Sequence, residues 1–277
     1  MRLQLLKFVL LFSAGEALYL LPTLKILTYY AYFHLSRDKQ NLRELWQNRQ
    51  VVLSLNGVKF AISAVPGDLG FILEVFLRGA YEPIPSFIPK PGDVCMDIGA
   101  NIGSCALRWR LNDRSGRIIC IEPHPVTYKR LQKNIEINSF TNIESYPFAV
   151  SDLDGPMEMY TPEGSSMMVA SDKLKRHKTV VKAVTIDTMV RQAGLSRIDL
   201  CKIDVEGHEI KVLNGAVNSL HLIRNLVIEY HSDSLRNEVI DKLKNGFSVI
   251  REEGSRQSGL IFAENNSAPG TIDRVQS

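Results

Sequence analysis

The chain has 277 residues, of which 45% are hydrophobic, and a formal net charge of +3 at pH 7. This composition allows one large core with a lead-in segment, and without a sustained basic run it gives no support to a nucleic-acid partner. The four cysteines contain no C-x-x-C pair, which argues against structural zinc and favours a reducing compartment. We therefore expect one main domain in the cytoplasm.

The first 36 residues have an ambiguous pattern. The apolar run Phe8 to Leu24 is short for a spanning helix, which needs roughly 20 apolar residues, and it carries Glu16 in its middle. A helix packed on the domain or on a partner, interfacial attachment to a membrane, and a cleaved signal or true span all stay open. We assign residues 1–50 to an apolar helical segment, with peripheral membrane contact through residues 1–36 as one alternative.

Residues 51–92 predict a hairpin and a helix that lead into the main domain. Two strand-like runs flank Asn56-Gly57, a dipeptide typical of tight hairpin turns, and Phe71 to Gly79 follows with apolar residues at helical spacing. The main domain is predicted at residues 93–265. The polar residues 266–277 are predicted to be disordered.

A glycine-containing turn organises the main domain. A buried strand ends in Asp97, and the turn that leads from it into an apolar helix contains Gly99, Asn101 and Gly103. We expect the glycines to leave space for a ligand against the backbone. A dinucleotide site would need glycine in place of Asn101, and Asp97 would repel a diphosphate. A carboxylate suits the ammonium and sulfonium of S-adenosylmethionine, so the turn favours that cofactor over NAD.

Polar residues also follow the next two predicted strands. Glu122 ends the second strand about 25 residues after Asp97, where it is placed to accept both hydroxyls of a ribose. Ser151 and Asp152 follow the third strand, predicted at Ile143 to Val150, where the adenine ring would lie. Asp152 could bind the adenine amino group, or it could be a turn residue only.

The richest set of ionisable side chains follows the fourth and fifth predicted strands: Asp204, Glu206, His208, Glu209, Glu229 and His231. Neighbouring parallel strands would bring these ends together, which predicts a catalytic or divalent-metal cluster. The predicted catalytic residues are Asp204, Glu206 and His231. If Mg²⁺ took part, its ligands would be Asp204, Glu206 and Glu229. We interpret Glu209 as a first-turn charge that favours the helix dipole, and His208 as a solvated side chain.

These residues together resemble the FkbM family of S-adenosylmethionine-dependent methyltransferases. The stretches that carry the resemblance are Tyr81-Glu82-Pro83, Asp97 to Gly103, Glu122-Pro123, Thr185-Ile186-Asp187, Lys202 to Glu209 and Ile228-Glu229. The resemblance implies an α/β fold of the Rossmann-like class I methyltransferase type. Its sheet would have seven mostly parallel strands, with the last strand antiparallel and helices on both faces. The resemblance also adds Glu82 to the cofactor-binding residues.

The implied reaction is O-methylation of a hydroxyl on a sugar, a glycolipid or another small molecule. The hydroxyl must lose its proton, either to Asp204 or His231 as general base or with the help of bound Mg²⁺. We expect the base mechanism without a metal. One alternative function is a non-catalytic Rossmann-like binding or interaction protein with a membrane-associated N-terminus, and another is a nucleotide-linked oxidoreductase. The sequence leaves open the identity of the acceptor and the oligomeric state.

Overall fold

The computed structural model describes residues 50–63, 66–112, 115–161 and 177–267, in two units divided after Gly70. Most of the predicted N-terminal segment and of the C-terminal tail therefore lies outside the described residues. Among those described, no helix is long and apolar enough to cross a membrane.

The first unit contains an antiparallel hairpin. Its strands are β1 (Gln50–Leu55) and β2 (Val58–Ser63). Both residues of the connecting Asn56-Gly57 turn have a positive φ, as two-residue hairpin turns of this kind require. Helix α1 (Pro66–Phe71) comes next along the chain.

The second unit begins with a π-helical segment, Ile72–Leu77, and then alternates strands with helices. Its strands are β3 (Val94–Ile98), β4 (Arg117–Ile121), β5 (Ile143–Tyr146), β6 (Phe148–Val150), β7 (Gly155–Thr161), β8 (His177–Val184), β9 (Ile198–Ile203), β10 (Ile223–Tyr230), β11 (Phe247–Gly254) and β12 (Gly259–Asn265). Its longer helices are α2 (Ser104–Asn112), α3 (Pro125–Ile137), α4 (Ile186–Ala193), α5 (Glu209–Asn214) and α6 (Asp233–Leu243).

Seven of these strands form one sheet in the order β11-β12-β10-β9-β3-β4-β5. Strand β12 lies between β10 and β11 and is antiparallel to both, whereas β10, β9, β3, β4 and β5 are mutually parallel. This confirms the predicted Rossmann-like sheet with an antiparallel last strand. The chain proceeds from β3 toward β4 on one side and later from β9 toward β10 on the other. Sheets of this class bind ligands at the carboxyl ends of the strands where the order reverses, which here are β3 and β9.

Helices cover both faces of the sheet. Met96 and Ile98 of β3 join a buried apolar cluster that also contains residues of α4, α5 and α6. Since side chains alternate along a strand, Asp97 faces the opposite side, where the backbone of Ala106 in α2 favours the ionised carboxylate. Leu107 and Trp109 of that helix are fully buried. The layered arrangement predicted from the sequence is therefore present.

One predicted strand is wrong. The sequence analysis expected a single strand over Ile143 to Val150, whereas the structure has two strands separated by Pro147. Strand β5 belongs to the seven-stranded sheet, and β6 pairs with β8 in a separate sheet of order β6-β8-β7. Proline has no N–H to donate to a continuing ladder, which explains why the chain leaves the large sheet there.

The turn after β3 depends on Gly99 for a reason that the sequence analysis did not identify. Gly99 has a φ of +78°, and a Cβ at this position would lie 1.8 Å from the carbonyl oxygen of Asp204. A Cβ on Gly103, whose φ is +90°, would lie 2.7 Å from Leu131 Cδ1. Both glycines therefore allow segments of the protein to pack against each other, in addition to any space they leave for a ligand.

We expect Gly99→Ala to lower the free energy of unfolding by about 3 kcal/mol or more, because the methyl group would overlap a backbone atom in a neighbouring loop. Gly92→Ala is the matched control, since Gly92 also has a positive φ but a Cβ added there would meet nothing within 4 Å. The control should lose only about 1 kcal/mol from backbone strain. Urea unfolding measures both, and equal losses would contradict the packing role of Gly99.

Candidate active site

A cavity lies at the carboxyl ends of β3, β4 and β9. Its volume is about 670 Å³, which includes the solvent-filled space at its opening. Its apolar wall includes Ile121, Phe148, Val150, Met157 and Met159. Its polar lining comes from Asn101, Glu122, Asp204, Glu206 and His208. The small sheet thus provides one wall, and the strand ends of the large sheet provide the polar groups.

The Glu122 carboxylate ties the end of β4 to the glycine turn. Its Oε2 accepts a hydrogen bond from the backbone N–H of Asn101 at 2.9 Å, and its Oε1 accepts one from the N–H of His124 at 2.8 Å. The side chain is buried, and burial raises the pKa of Glu122 to about 7 although both hydrogen bonds oppose the shift. Glu122 and Asn101 therefore lie at the cavity wall, as predicted for cofactor-binding residues.

Asp97 lies at the end of β3, as expected, and its role in cofactor binding stays a prediction. It is fully buried, and Lys202 Nζ lies 3.1 Å from its carboxylate. Lys202 also donates to the carbonyl oxygen of Gly99 at 2.7 Å and approaches Asp204 Oδ2 at 3.4 Å. Burial alone would lower the pKa of Lys202, but Asp97 and Asp204 raise it above its usual range. The ammonium group beside Asp97 is thus the protein's own, and Lys202 is a residue that the sequence analysis missed.

Glu82 fastens the segment before β3 to helix α2. Its carboxylate accepts hydrogen bonds from Arg108 Nε at 2.6 Å and from Asn112 Nδ2 at 3.1 Å. Arg108 also donates to the carbonyl oxygen of Phe76. These contacts account for the buried Glu82 side chain without a ligand, and its role in cofactor binding stays a prediction.

Ser151 and Asp152 lie beside helix α5, because the strand that precedes them has left the large sheet. The Ser151 hydroxyl donates to Asp152 Oδ1 at 3.1 Å and lies 2.9 Å from His208 Nε2. Asp152 also pairs with Lys211 at 2.6 Å. Of these residues, His208 lines the cavity. The histidine interpreted as solvated is therefore the one that connects the predicted adenine residues to the cavity.

Four of the predicted ionisable residues come together at the ends of β9 and β10. The Nε2 atom of His231 lies 3.4 Å from Glu206 Oε2, 3.8 Å from Asp204 Oδ1 and 4.0 Å from Glu229 Oε1. Glu206 has a φ of +54°, a left-handed conformation that is costly for a residue other than glycine and that occurs often at functional sites. The expected cluster therefore exists, with its members on adjacent parallel strands.

Glu209 is a further member of this cluster. It is fully buried, and its Oε1 accepts hydrogen bonds from His231 Nδ1 and from the backbone N–H of Gly207, both at 2.9 Å. Burial alone would lower the pKa of His231, but Glu209 and the neighbouring carboxylates raise it to about 9. At neutral pH the imidazole is protonated, which leaves the carboxylates as the groups able to accept a proton.

Tyr81 links two of these carboxylates. Its hydroxyl donates to Glu229 Oε2 at 2.7 Å and lies 3.2 Å from Asp204 Oδ2. Burial and the two acidic neighbours raise the pKa of Tyr81, so the phenol keeps its proton. Burial, followed by Asp204, raises the pKa of Glu229 to about 7. The cluster therefore contains carboxylates held in different environments within a few ångströms.

Residues 97–254 match the family model described as the Methyltransferase FkbM domain. The chain belongs to the FkbM methyltransferase family. Methyltransferase sdnD of Sordaria araneosa is 29% identical over 229 residues, which cover 70% of this chain and 86% of that protein. Hexuronic acid methyltransferase AglP of Haloferax volcanii is 26% identical over 158 residues, 56% of this chain and 64% of that protein. The 2-O-methyltransferase NoeI of Sinorhizobium fredii is 27% identical over 172 residues, 56% and 70% respectively.

The family membership confirms the resemblance recognised in the sequence motifs, and with it the methyltransferase class. The FkbM match contains the cavity-lining residues Glu122, Asp204 and Glu206 and the charged neighbours Lys202 and His231. Tyr81 and Glu82 precede the matched range. Most of the predicted site residues therefore lie within the family domain.

The raised pKa of His231 predicts a pH-dependent stability. A histidine in the unfolded chain titrates near pH 6.5, so the stabilising charge is fully present below that pH and is lost as the pH rises through about 9. We expect the melting temperature of the wild type to fall between pH 7 and pH 9.5 by more than that of His231→Gln. The loss of the His231 charge should lower the free energy of unfolding by at most about 3 kcal/mol.

Differential scanning calorimetry measures the melting temperatures of the wild type and of His231→Gln between pH 7 and pH 9.5. The control is His221→Gln, which changes an exposed histidine and should follow the wild type. Parallel curves for wild type and His231→Gln would show that the imidazolium contributes nothing to stability.

Proposed function

We propose that this chain transfers a methyl group from S-adenosylmethionine to a hydroxyl group of a sugar, a glycolipid or another small molecule. The observation that carries the proposal is a single cavity lined both by the buried carboxylate of Glu122 and by Asp204 and Glu206. Membership of the FkbM family supports methyl transfer. The names of AglP and NoeI, a hexuronic acid methyltransferase and a 2-O-methyltransferase, support a sugar hydroxyl as the acceptor.

The lining of the cavity fits this cofactor. Among the described residues, three carboxylates line the cavity and no lysine or arginine does. This charge favours the sulfonium and ammonium groups of S-adenosylmethionine and would repel the diphosphate of NAD. Phe148, Met157 and Met159 offer an apolar surface for the adenine ring, and Glu122 is placed to accept hydrogen bonds from the ribose hydroxyls.

In the proposed mechanism, bound S-adenosylmethionine supplies an electrophilic methyl group on its sulfonium. Glu122 orients the cofactor, the apolar wall excludes water, and Asp204 accepts the proton that the acceptor hydroxyl loses. The Lys202 ammonium lies 3.4 Å from Asp204 Oδ2 and helps to hold this carboxylate in place. His231 holds a positive charge beside Asp204 and Glu206 and offsets the repulsion between them.

We favour this carboxylate base over bound Mg²⁺. Asp204, Glu206 and His231 place potential ligand atoms within 4.8 Å of one another. However, one member of this set is an imidazole, a ligand that suits Zn²⁺ better than the oxygen-preferring Mg²⁺. A carboxylate base also agrees with the oxygen-rich lining of the cavity.

The acceptor is tested by methyl transfer from radiolabelled S-adenosylmethionine to a panel of neutral, amino and uronic acid methyl glycosides. We expect label in at least one glycoside with the wild type. Asp204→Asn should reduce that rate by about 100-fold or more while it retains binding of S-adenosylhomocysteine, since a general base contributes roughly 10²–10⁴-fold. A matched control is Asp241→Asn, which changes an acid in α6 that pairs with Lys244.

The outcomes separate the alternatives. Failure to bind S-adenosylhomocysteine would overturn the proposed cofactor. Binding without transfer to any member of the panel would overturn the sugar acceptor and favour a binding or interaction protein. Full activity of Asp204→Asn would remove Asp204 from the role of base.

The pKa of Glu122 predicts how cofactor binding depends on pH. The ionised carboxylate accepts hydrogen bonds from both ribose hydroxyls, so calorimetric binding of S-adenosylhomocysteine should tighten as the pH rises from 6 to 8, through the pKa of about 7. Glu122→Gln should bind about 10- to 100-fold more weakly and show a flatter pH dependence. The control is Glu144→Gln, which changes an acid on β5 that pairs with Arg117 of β4, and it should bind like the wild type. Unchanged binding by Glu122→Gln would contradict the ribose contact.

A further inference from the structure

Tyr81 is the polar group through which the segment before β3 reaches the acidic cluster. It is separated from Asp204 by 123 positions and from Glu229 by 148, yet its hydroxyl lies within 3.2 Å of both carboxylates. The side chain is 5% exposed. Its position therefore results from packing in the interior and is not a surface contact.

A single phenolic proton can be donated to only one of the two carboxylates at a time. The 2.7 Å distance to Glu229 Oε2 is normal for an O–H···O⁻ bond, whereas the 3.2 Å distance to Asp204 Oδ2 is long. Tyr81 thus binds Glu229 and leaves Asp204 Oδ2 to Lys202, whose Nζ lies 3.4 Å away. The same ammonium lies 5.3 Å from the centre of the Tyr81 ring, which helps to hold the ring in place.

The other oxygen of Asp204 is then the one available to a substrate. The nearest cationic atom to Oδ1 among the ion pairs of Asp204 is His231 Nε2 at 3.8 Å, which is too far for a hydrogen bond. Asp204 is among the residues that line the cavity, and Glu229, on the neighbouring strand β10, is not. Without the Tyr81 hydroxyl, Glu229 Oε2 would lose its hydrogen bond, and repulsion between its ionised form and Asp204 would be less well offset.

We propose that Tyr81 is a positioning residue, which binds the Glu229 carboxylate and so keeps Asp204 oriented toward the acceptor hydroxyl. The inference rests on the proposed methyl transfer and deepens it. In the transfer step, the acceptor oxygen forms a bond to the methyl carbon as the sulfonium–carbon bond breaks, and the hydroxyl proton passes to Asp204 Oδ1. Tyr81 itself exchanges no atom with the substrate.

The test is Tyr81→Phe, which retains the ring and removes only the hydroxyl. With the best glycoside of the panel described above, we expect kcat to fall by about 10-fold or more, because a hydrogen bond to a charged group is lost. The KM of the glycoside and the Kd of S-adenosylhomocysteine should stay within about twofold of the wild type. Loss of packing alone would instead lower the melting temperature and leave kcat per folded protein unchanged.

Tyr230→Phe is the matched control. Tyr230 is another buried tyrosine, and its hydroxyl donates to the carbonyl oxygen of Ser255 at 2.8 Å, outside the acidic cluster. This variant also loses one hydrogen bond, but its kcat should equal that of the wild type. A similar fall in kcat for both variants would overturn the specific role of Tyr81.

A double-mutant cycle tests whether Tyr81 acts through Glu229. If it does, Glu229→Gln should reduce kcat much less in the Tyr81→Phe background than in the wild type. Additive losses, or an unchanged kcat for Tyr81→Phe in an active enzyme, would overturn the inference and leave the proposed function intact. A wild-type protein that binds S-adenosylhomocysteine but is inactive on every glycoside would instead overturn the sugar acceptor of the proposed function.

Discussion

The buried ammonium of Lys202 is the interaction on which the rest of the site depends. Removing a charge from water costs several kcal/mol unless partners replace the lost hydration, and Lys202 has three: Asp97, Asp204 and the carbonyl oxygen of Gly99. These partners come from β3 and from the residues that follow β3 and β9. One side chain therefore joins the two strands at which the order of the sheet reverses, and it fixes the turn and the acidic loop relative to each other.

Charge balance explains how so many acids can share one end of the sheet. Asp204, Glu206, Glu209 and Glu229 lie close together, and mutual repulsion would destabilise them in a partly buried site. Lys202 offsets part of this charge from one side and the His231 imidazolium offsets part from the other. The residual negative charge at the cavity agrees with a cationic cofactor. The negative charge that Lys202 and His231 leave uncompensated thus favours the ligand proposed for this site.

Much of the site could be predicted from local sequence because it lies at the ends of strands. A run such as Ile198–Ile203 identifies a buried strand, and the acids that follow it must then lie at the carboxyl edge of the sheet. Glu122 and Asn101, predicted as cofactor-binding residues, both line the cavity, and the Asn101 N–H donates to Glu122 Oε2. The predicted single strand over Ile143 to Val150 was wrong, because Pro147 has no N–H to donate to the neighbouring strand and interrupts the pairing. The adenine contacts predicted for Ser151 and Asp152 stay a prediction.

The sequence by itself determined most of the strands, the turn after β3 and the acids at the strand ends, because these follow from short-range periodicity and from motif spacing. Only the tertiary structure decided which charges meet. Burial in the folded chain makes Glu209 the partner of His231 and not only a charge in the first turn of a helix. Packing likewise brings Tyr81 to Asp204 and Glu229, which lie more than a hundred positions away in the sequence. A carboxylate has the same chemical formula in either case, and its environment, which sets its pKa and its partners, exists only after the strands have packed.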